Sequence, residues 1–249
     1  MKKTHSNTSF FVTELRSTGV KHKRLFQPCQ DSTLAELDDK FAIVAVADGH
    51  GHQMHSQSET GSAIACISAV ETIKEWLTSG GMNSKNQSVS DVSRLIVSEW
   101  RKRVLENFAD RCAVVTGRSQ SGVYTLYGTT LLCAAVTEKY AYIFQIGDGK
   151  TILFKSDCSI YSPIEDTVSE HPDSLCLEDA ENRFRVAVVP SHDIKSIVLC
   201  TDGVVNHFDT DESLLTHIQC GLLDHELLLP ENTMDDASIA VLIRKTSKK

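Results

Sequence analysis

Apolar residues run unbroken over 41–47 and stop on Asp48-Gly49-His50-Gly51. A continuous run of this length predicts a strand buried on both faces. Over about 56–78 the period becomes helical. Cys66, Val70, Ile73 and Leu77 fall at i, i+4, i+7 and i+11, with Ala63 and Ile67 beside them. A second helix is predicted over about 91–110, with Val97, Trp100, Val104 and Phe108 on one face. Both helices are single-sided, so each should pack on something flat, such as a sheet. Gly80, Gly81 and the polar run to Ser90 link the two helices rather than two domains.

Strand formers mark 9–16, 128–136, 140–146, 150–155, 184–189, 194–200 and 238–244. Gly147-Asp148-Gly149 predicts a hairpin turn between two of them. Residues 19–28 read as a basic turn, 117–122 as a polar loop and 156–182 as an acidic, irregular segment. Short helical material is expected after Asp202-Gly203, to about Leu229. Residues 1–8 are expected to be disordered. There is no internal repeat. Strands at both ends and a helix pair in the middle imply one α+β domain over 9–245, a layered sandwich with helices segregated onto sheets.

Composition narrows the function classes. The formal net charge of -8 argues against nucleic acid as the main partner, since phosphate backbones recruit basic faces. Hydrophobic content of 41% and charged content of 23% suit a globular protein with a full core. The eight cysteines include no C-x-x-C spacing, and Cys66, Cys133 and Cys200 lie inside apolar runs as buried thiols. The basic start has no apolar segment behind it, and no apolar stretch reaches the ~18 residues of a membrane span. Together these point to a reducing, cytoplasmic compartment and no membrane partner.

The chemistry concentrates in acids at strand ends. Asp48 follows Val-Ala-Val-Ala, Asp202 follows Val-Leu-Cys-Thr, and Asp235-Asp236 precede Ser-Ile-Ala-Val-Leu-Ile. Asp31 follows the first strand and Asp148 occupies the Gly-Asp-Gly turn. Asp is also the usual residue of turns after strands, so any one of them alone is uninformative. As a set they can converge at one end of the sandwich. Crowded carboxylates resist ionisation, and a hard divalent ion resolves the conflict. An all-oxygen donor set selects magnesium, manganese or calcium over zinc. More than three acids exceed what one magnesium usually takes, which suggests two ions.

Six short motifs occur in order: Gln30-Asp31, Ala-Asp-Gly-His-Gly at 47–51, Gly-Thr-Thr at 128–130, Ile-Gly-Asp-Gly at 146–149, Thr-Asp-Gly at 201–203 and Asp-Asp-Ala-Ser at 235–238. In this the chain resembles the metal-dependent serine/threonine protein phosphatases of the 2C type (PPM family). Its Pro-Cys-Gln-Asp form looks most like the compact bacterial branch. The resemblance implies a four-layer α-β-β-α sandwich of two antiparallel sheets flanked by helices. It implies hydrolysis of phosphoserine and phosphothreonine proteins by water activated by two Mn2+ or Mg2+ ions, with a third held more loosely. Asp48 would bridge two ions and the Gly49 carbonyl would bind the second. Asp202 and Asp235 would complete the first ion's shell, Asp148 would help hold the third with Asp202, and Asp31 would act in or just behind the shell. His50 would be the general acid for the leaving alkoxide, and Thr129 and Thr130 would be structural. A cognate serine/threonine kinase is the natural partner.

The departures are specific. Gln30 stands where many members have Glu, which implies a second ion held more through water. His52 stands where many have glycine. Where eukaryotic members grip the phosphate with arginine, this chain offers Lys21, His22 and Arg24, with His22 favoured by its spacing to Gln30-Asp31. Two other readings compete. His50, His52 and His55 have part of the spacing of a zinc hydrolase, but Met54 replaces its aspartate. A pseudophosphatase that only binds partners is favoured by Gln30 and His52 and opposed by the intact Asp48, Asp202 and Asp235.

Overall fold

Alternation along the strands builds a molecule with three apolar layers. The structure is a computed structural model that describes residues 1–80, 88–111, 119–165, 173–224 and 226–245. Gly81, Cys112, Gly117 and the middle of the acidic segment (166–172) lie outside the described residues. In chain order the strands are β1 (Lys2–Ser6), β2 (Phe10–Ser17), β3 (Ser32–Leu37), β4 (Phe41–Ala47), β5 (Leu131–Thr137), β6 (Tyr140–Ile146), β7 (Lys150–Lys155), β8 (Ile160–Tyr161), β9 (Arg185–Pro190), β10 (Ile194–Cys200) and β11 (Ala237–Arg244). The helices are α1 (Val20–Arg24), α2 (Ser58–Thr78), α3 (Ser88–Arg111), α4 (Gln120–Leu126), α5 (Ala180–Arg183), α6 (Asp202–Val205) and α7 (Asp211–Leu223).

One sheet has the order β1-β2-β11-β10-β7-β8 and the other β3-β4-β5-β6-β9, with every pairing antiparallel. The unbroken run of β4 is explained by its place in the middle. Ala42, Val44 and Val46 face the other sheet, where they meet Val12, Ile197, Leu199 and Leu242. Phe41, Ile43, Ala45 and Ala47 face α2 and α3. On the outer side of the first sheet, Leu214 and Ile218 of α7 cover Val198, Ile239 and Val241. The expected α-β-β-α layering follows. The second predicted helix differs in one respect. α3 lies along α2, and its fully buried Trp100 donates its indole N–H to the Gly61 carbonyl at 3.1 Å. Losing that ring would cost about 3–5 kcal/mol.

The remaining differences have physical causes. Residues 2–6 form the edge strand β1 against β2 rather than a disordered end, and every side chain in it is exposed. Its stability comes from ladder hydrogen bonds, which leave no apolar pattern to read. β3 was not expected either: it is an edge strand whose residues after Ser32 are only half-buried. Gly147-Asp148-Gly149 is not a hairpin, because β6 and β7 belong to different sheets and the turn carries the chain between them. The basic turn contains α1, and residues 120–122 of the expected polar loop begin α4, which Ser119 caps by accepting Gly122 N–H at 3.2 Å.

Register then delivers the acids. Ser32 pairs with Ala47, so Asp31 and Asp48 lie side by side beyond the end of that sheet. Ala237 pairs with Ser17 and Cys200 with Ile239, so Asp202, Asp235 and Asp236 emerge at the same end of the other sheet.

Candidate functional site

Asp48 leaves the buried end of β4 on a backbone clamped from behind. Its N–H donates to Thr130 Oγ1 at 3.1 Å, and its carbonyl accepts from Thr129 Oγ1 at 2.7 Å and Thr130 N–H at 2.9 Å. Thr129 and Thr130 are therefore scaffold, as expected. Gly49 permits the next step: a Cβ there would stand 2.7 Å from the Gln30 carbonyl. Gly203 does the same beneath Asp202, where a Cβ would fall 1.8 Å from the Asp236 carbonyl.

Asp48, Gly49, Asp148, Asp202 and Asp235 line one pocket of about 530 Å3, with His50, His52, His55, Cys176 and Leu177 around them. A hollow of about 500 Å3 among Ser9, Lys40, Glu138 and Arg244 lies at the opposite end of the sandwich. Size does not separate the two, but the acids do. Asp31 is fully buried behind Asp48. Thr201 Oγ1 donates to its Oδ2 at 3.0 Å, while its Oδ1 has no well-formed hydrogen bond, with the Ser238 hydroxyl and Asp48 close by. Burial and then the charge of Asp236 push the Asp31 carboxyl up to about 7. Asp48 is raised well above the usual carboxylate range by burial and by Asp31 and Asp202, both within hydrogen-bonding reach of it. Asp48 keeps an edge exposed to the pocket, so its rise owes much to those two neighbours. Asp148 is raised by the protein around it and then by Asp202, although its own edge is exposed.

The donor set fits a hard cation. Asp31 Oδ1, Asp202 Oδ1 and Gln30 Oε1 are buried acceptors with no donor, and all are oxygens. Among the described residues no three His, Cys, Asp or Glu side chains close around one point as a finished cage. The acids meet in pairs through Asp48, and carboxyls in that contact share protons where a cation would otherwise separate their charges.

Two expectations change. His22 does not face the pocket as an open phosphate ligand. It is buried, with Nδ1 2.8 Å from Asp236 Oδ2. Asp236 also accepts from Gly19 N–H at 2.8 Å and Gln30 N–H at 2.6 Å. His22 and Asp236 thus pin the backbone that carries Gln30 and Asp31. The second change concerns His50. Burial and the adjacent His55 ring, 4.9 Å away, lower it to about 4. At neutral pH it is an uncharged imidazole that can offer an N–H, not a standing cation. His55 is held by its Nδ1–H, donated to the Thr125 carbonyl at 2.6 Å. That bond removes one nitrogen from any histidine-only metal site.

Sequence reasoning singled out Asp235, which lines the pocket half-exposed and pairs with Lys21 at 3.7 Å. It missed the role of Asp236. The signal was present: Ala240 and Leu242 face the space between the sheets, and counting back by twos reaches Ser238 and Asp236. Thr201, the donor to Asp31, was visible only as part of a motif.

Residues 18–225 match the family model described as Protein phosphatase 2C. No curated protein matches the chain. Solved structures share the fold at low identity. RsbX in complex with magnesium aligns with a TM-score of 0.62 and 14% identity, over 98% of this chain and 100% of its own. The serine/threonine phosphatase Stp1 from Staphylococcus aureus aligns at 0.58 and 15%, over 94% and 95%. The catalytic domain of the serine threonine protein phosphatase PstP, in complex with two manganese ions, aligns at 0.60 and 12%, over 95% and 98%.

Proposed function

The chain belongs to the protein phosphatase 2C family, and we propose that the carboxylate cluster at the end of its sandwich is the centre that hydrolyses phosphoserine and phosphothreonine in proteins. The observation that carries this reading is the meeting of Asp31 and Asp202 at Asp48, with an oxygen of each buried and without a well-formed hydrogen bond. Magnesium or manganese is the cofactor, and when bound it supplies a water nucleophile at neutral pH and neutralises phosphoryl charge. Asp48 would hold two ions, with the Gly49 carbonyl on the second. Asp202 and Asp235 would complete the first, and Asp148 a third, looser site. Asp31 would act behind them, fixed by Thr201. Gln30 would act through its Oε1, which lacks a donor.

The protein's own work is positioning. The Thr129-Thr130 clamp fixes Asp48, and the His22–Asp236 pair fixes Gln30 and Asp31. His50, uncharged, would offer its ring N–H as a hydrogen bond to the leaving serine or threonine oxygen, which would take its proton from solvent as the alcohol leaves. No side chain need serve as nucleophile. Buried thiols fit this: Cys133 and Cys200 are fully enclosed, and burial pushes Cys200 up to about 12.

Among the described residues no helix is long and apolar enough to cross a membrane. The seven described cysteines are free thiols, which supports a reducing, cytoplasmic setting. The substrates would be products of a serine/threonine kinase. The test is turnover of p-nitrophenyl phosphate and a phosphothreonine peptide with and without manganese, beside calorimetry of manganese binding. Metal-stimulated hydrolysis of both is expected. Metal uptake with no turnover of either would replace the enzyme with a pseudophosphatase.

A further inference from the structure

Next to the pocket, one short stretch turns large apolar side chains to solvent. Leu25 is 61% exposed and Phe26 97%. Phe26 also has φ of 54°, a left-handed backbone that a bulky side chain adopts only at a cost. The turn is nevertheless closed by hydrogen bonds. Leu25 and Gln27 N–H groups donate to the His22 carbonyl at 3.1 and 2.9 Å, and Phe26 N–H to the Lys23 carbonyl at 3.2 Å. His22 is itself locked to Asp236. A strained aromatic is thus presented on a fixed base.

Charge adds a second observation. Lys21, Lys23 and Arg24 flank the tip, all exposed, in a chain whose net charge is -8. Lys21 reaches Asp235, but among the described residues Lys23 and Arg24 have no acidic partner. The base of the turn adjoins the pocket through two of its lining residues, Gly51 and Asp235. A Cβ on Gly51 would lie 3.6 Å from His22 Nε2.

We propose that residues 21–26 form a docking finger for the protein substrate. An apolar side chain of the substrate seats on Leu25 and Phe26. Acidic residues flanking the phosphoserine or phosphothreonine face Lys23 and Arg24. The substrate class is a phosphoprotein whose phosphorylated residue lies in an acidic, apolar segment. This rests on the phosphatase reading. An exposed aromatic with cations at its rim has the composition of an interface anchor, and the cations speed the encounter with an anionic chain. An anionic membrane has similar chemistry, but the base of the finger touches Gly51 and Asp235 of the pocket, which favours a molecule that also enters the pocket.

The test uses the full chain with manganese, p-nitrophenyl phosphate and two phosphothreonine peptides, one flanked by Glu and Leu, the other by Lys and Gly. Phe26→Asn removes the ring but tolerates the left-handed backbone, and Lys23→Glu reverses a charge. Each variant is expected to lower kcat/KM about tenfold on the acidic peptide, mainly through KM, the scale of one anchor residue. Turnover of p-nitrophenyl phosphate is expected to stay unchanged, and the preference between peptides to shrink. Equal wild-type rates on the two peptides, or no loss in either variant, would overturn the finger. If wild type turns over nothing, the phosphatase reading fails separately. Fluorescence anisotropy of the labelled acidic peptide then decides the finger: weaker binding by the variants upholds it and unchanged binding overturns it. Loss of binding to phosphatidylserine vesicles, with peptide preference intact, would assign the surface to a membrane and overturn the substrate proposal.

Discussion

Asp31 and Asp236 are both buried carboxylates in the same corner of the fold, and they are treated in opposite ways. Asp236 receives Gly19 N–H, Gln30 N–H and the His22 ring within 2.6–2.8 Å. Asp31 receives the Thr201 hydroxyl on one oxygen and no well-formed hydrogen bond on the other, with the Ser238 hydroxyl and Asp48 close by and the charge of Asp236 against it. A buried acid with its donors in place is scaffold. A buried acid left short of donors and pressed against its own kind costs stability unless something positive joins it. The contrast separates the residues that build the corner from those that use it.

The comparison breaks most directly at Asp48, which belongs to the crowded side. Asp48→Asn is expected to reduce turnover by at least about a thousandfold, several kcal/mol of transition-state stabilisation, since this side chain would hold both ions. The fold should survive, because the clamp on residue 48 uses backbone groups and the hydroxyls of Thr129 and Thr130. Steady-state rates on p-nitrophenyl phosphate beside a thermal melt check both halves. Retained activity would remove the proposed mechanism.

On the satisfied side the expected effect moves from activity to stability. Asp236→Ala leaves Gly19 N–H, Gln30 N–H and His22 without their shared acceptor in a buried place. A loss of about 3–5 kcal/mol is expected in urea unfolding. Asp31→Asn, in metal-free protein, should be neutral or stabilising, because it removes one of the mutually repelling charges. If the two substitutions destabilise equally, the distinction between scaffold and site does not hold.

The sequence made the crowded side easier to see than the satisfied one. Asp48 and Asp202 end apolar runs that form β4 and β10, so burial on both faces announces where the strand stops. The layering of helices on sheets could be read for the same reason, since the core strands carry their environment in their own side chains, while the four-layer α-β-β-α order came from the family resemblance. What stayed hidden depends on pairing. β1 and β3 are edge strands held by ladder bonds, and the crossing at 147–149 depends on which sheet each neighbour joins. The pairing of His22 with Asp236 spans 214 residues, and no local pattern links them. Asp235 was favoured over Asp236 because a motif places the ligand first. Which side each turns to, just before β11, follows the alternation of that strand.

The smallest expected effect is the most selective. Asp31 has a folded-state pKa of about 7 against an ordinary value of 3.8, and Asp48 is raised as well. Well below the ordinary value of 3.8 both are protonated, folded or unfolded, and neither disturbs stability. As pH rises towards 7, the unfolded chain releases the Asp31 proton while the folded protein keeps it, so its contribution to stability falls across that window and levels off above it; Asp48 acts in the same direction. Metal-free protein in a chelator should therefore lose melting temperature between pH 4 and 7 beyond the background from other groups. Asp31→Asn should flatten that slope, and Asp236→Asn should not. Magnesium or manganese should raise the melting temperature, and by more at pH 8 than at pH 5, because the ion competes with protons for the same oxygens. A cation that stabilises equally at both pH values, or not at all, would mean that the donorless oxygens of Asp31 and Asp202 serve something other than an ion.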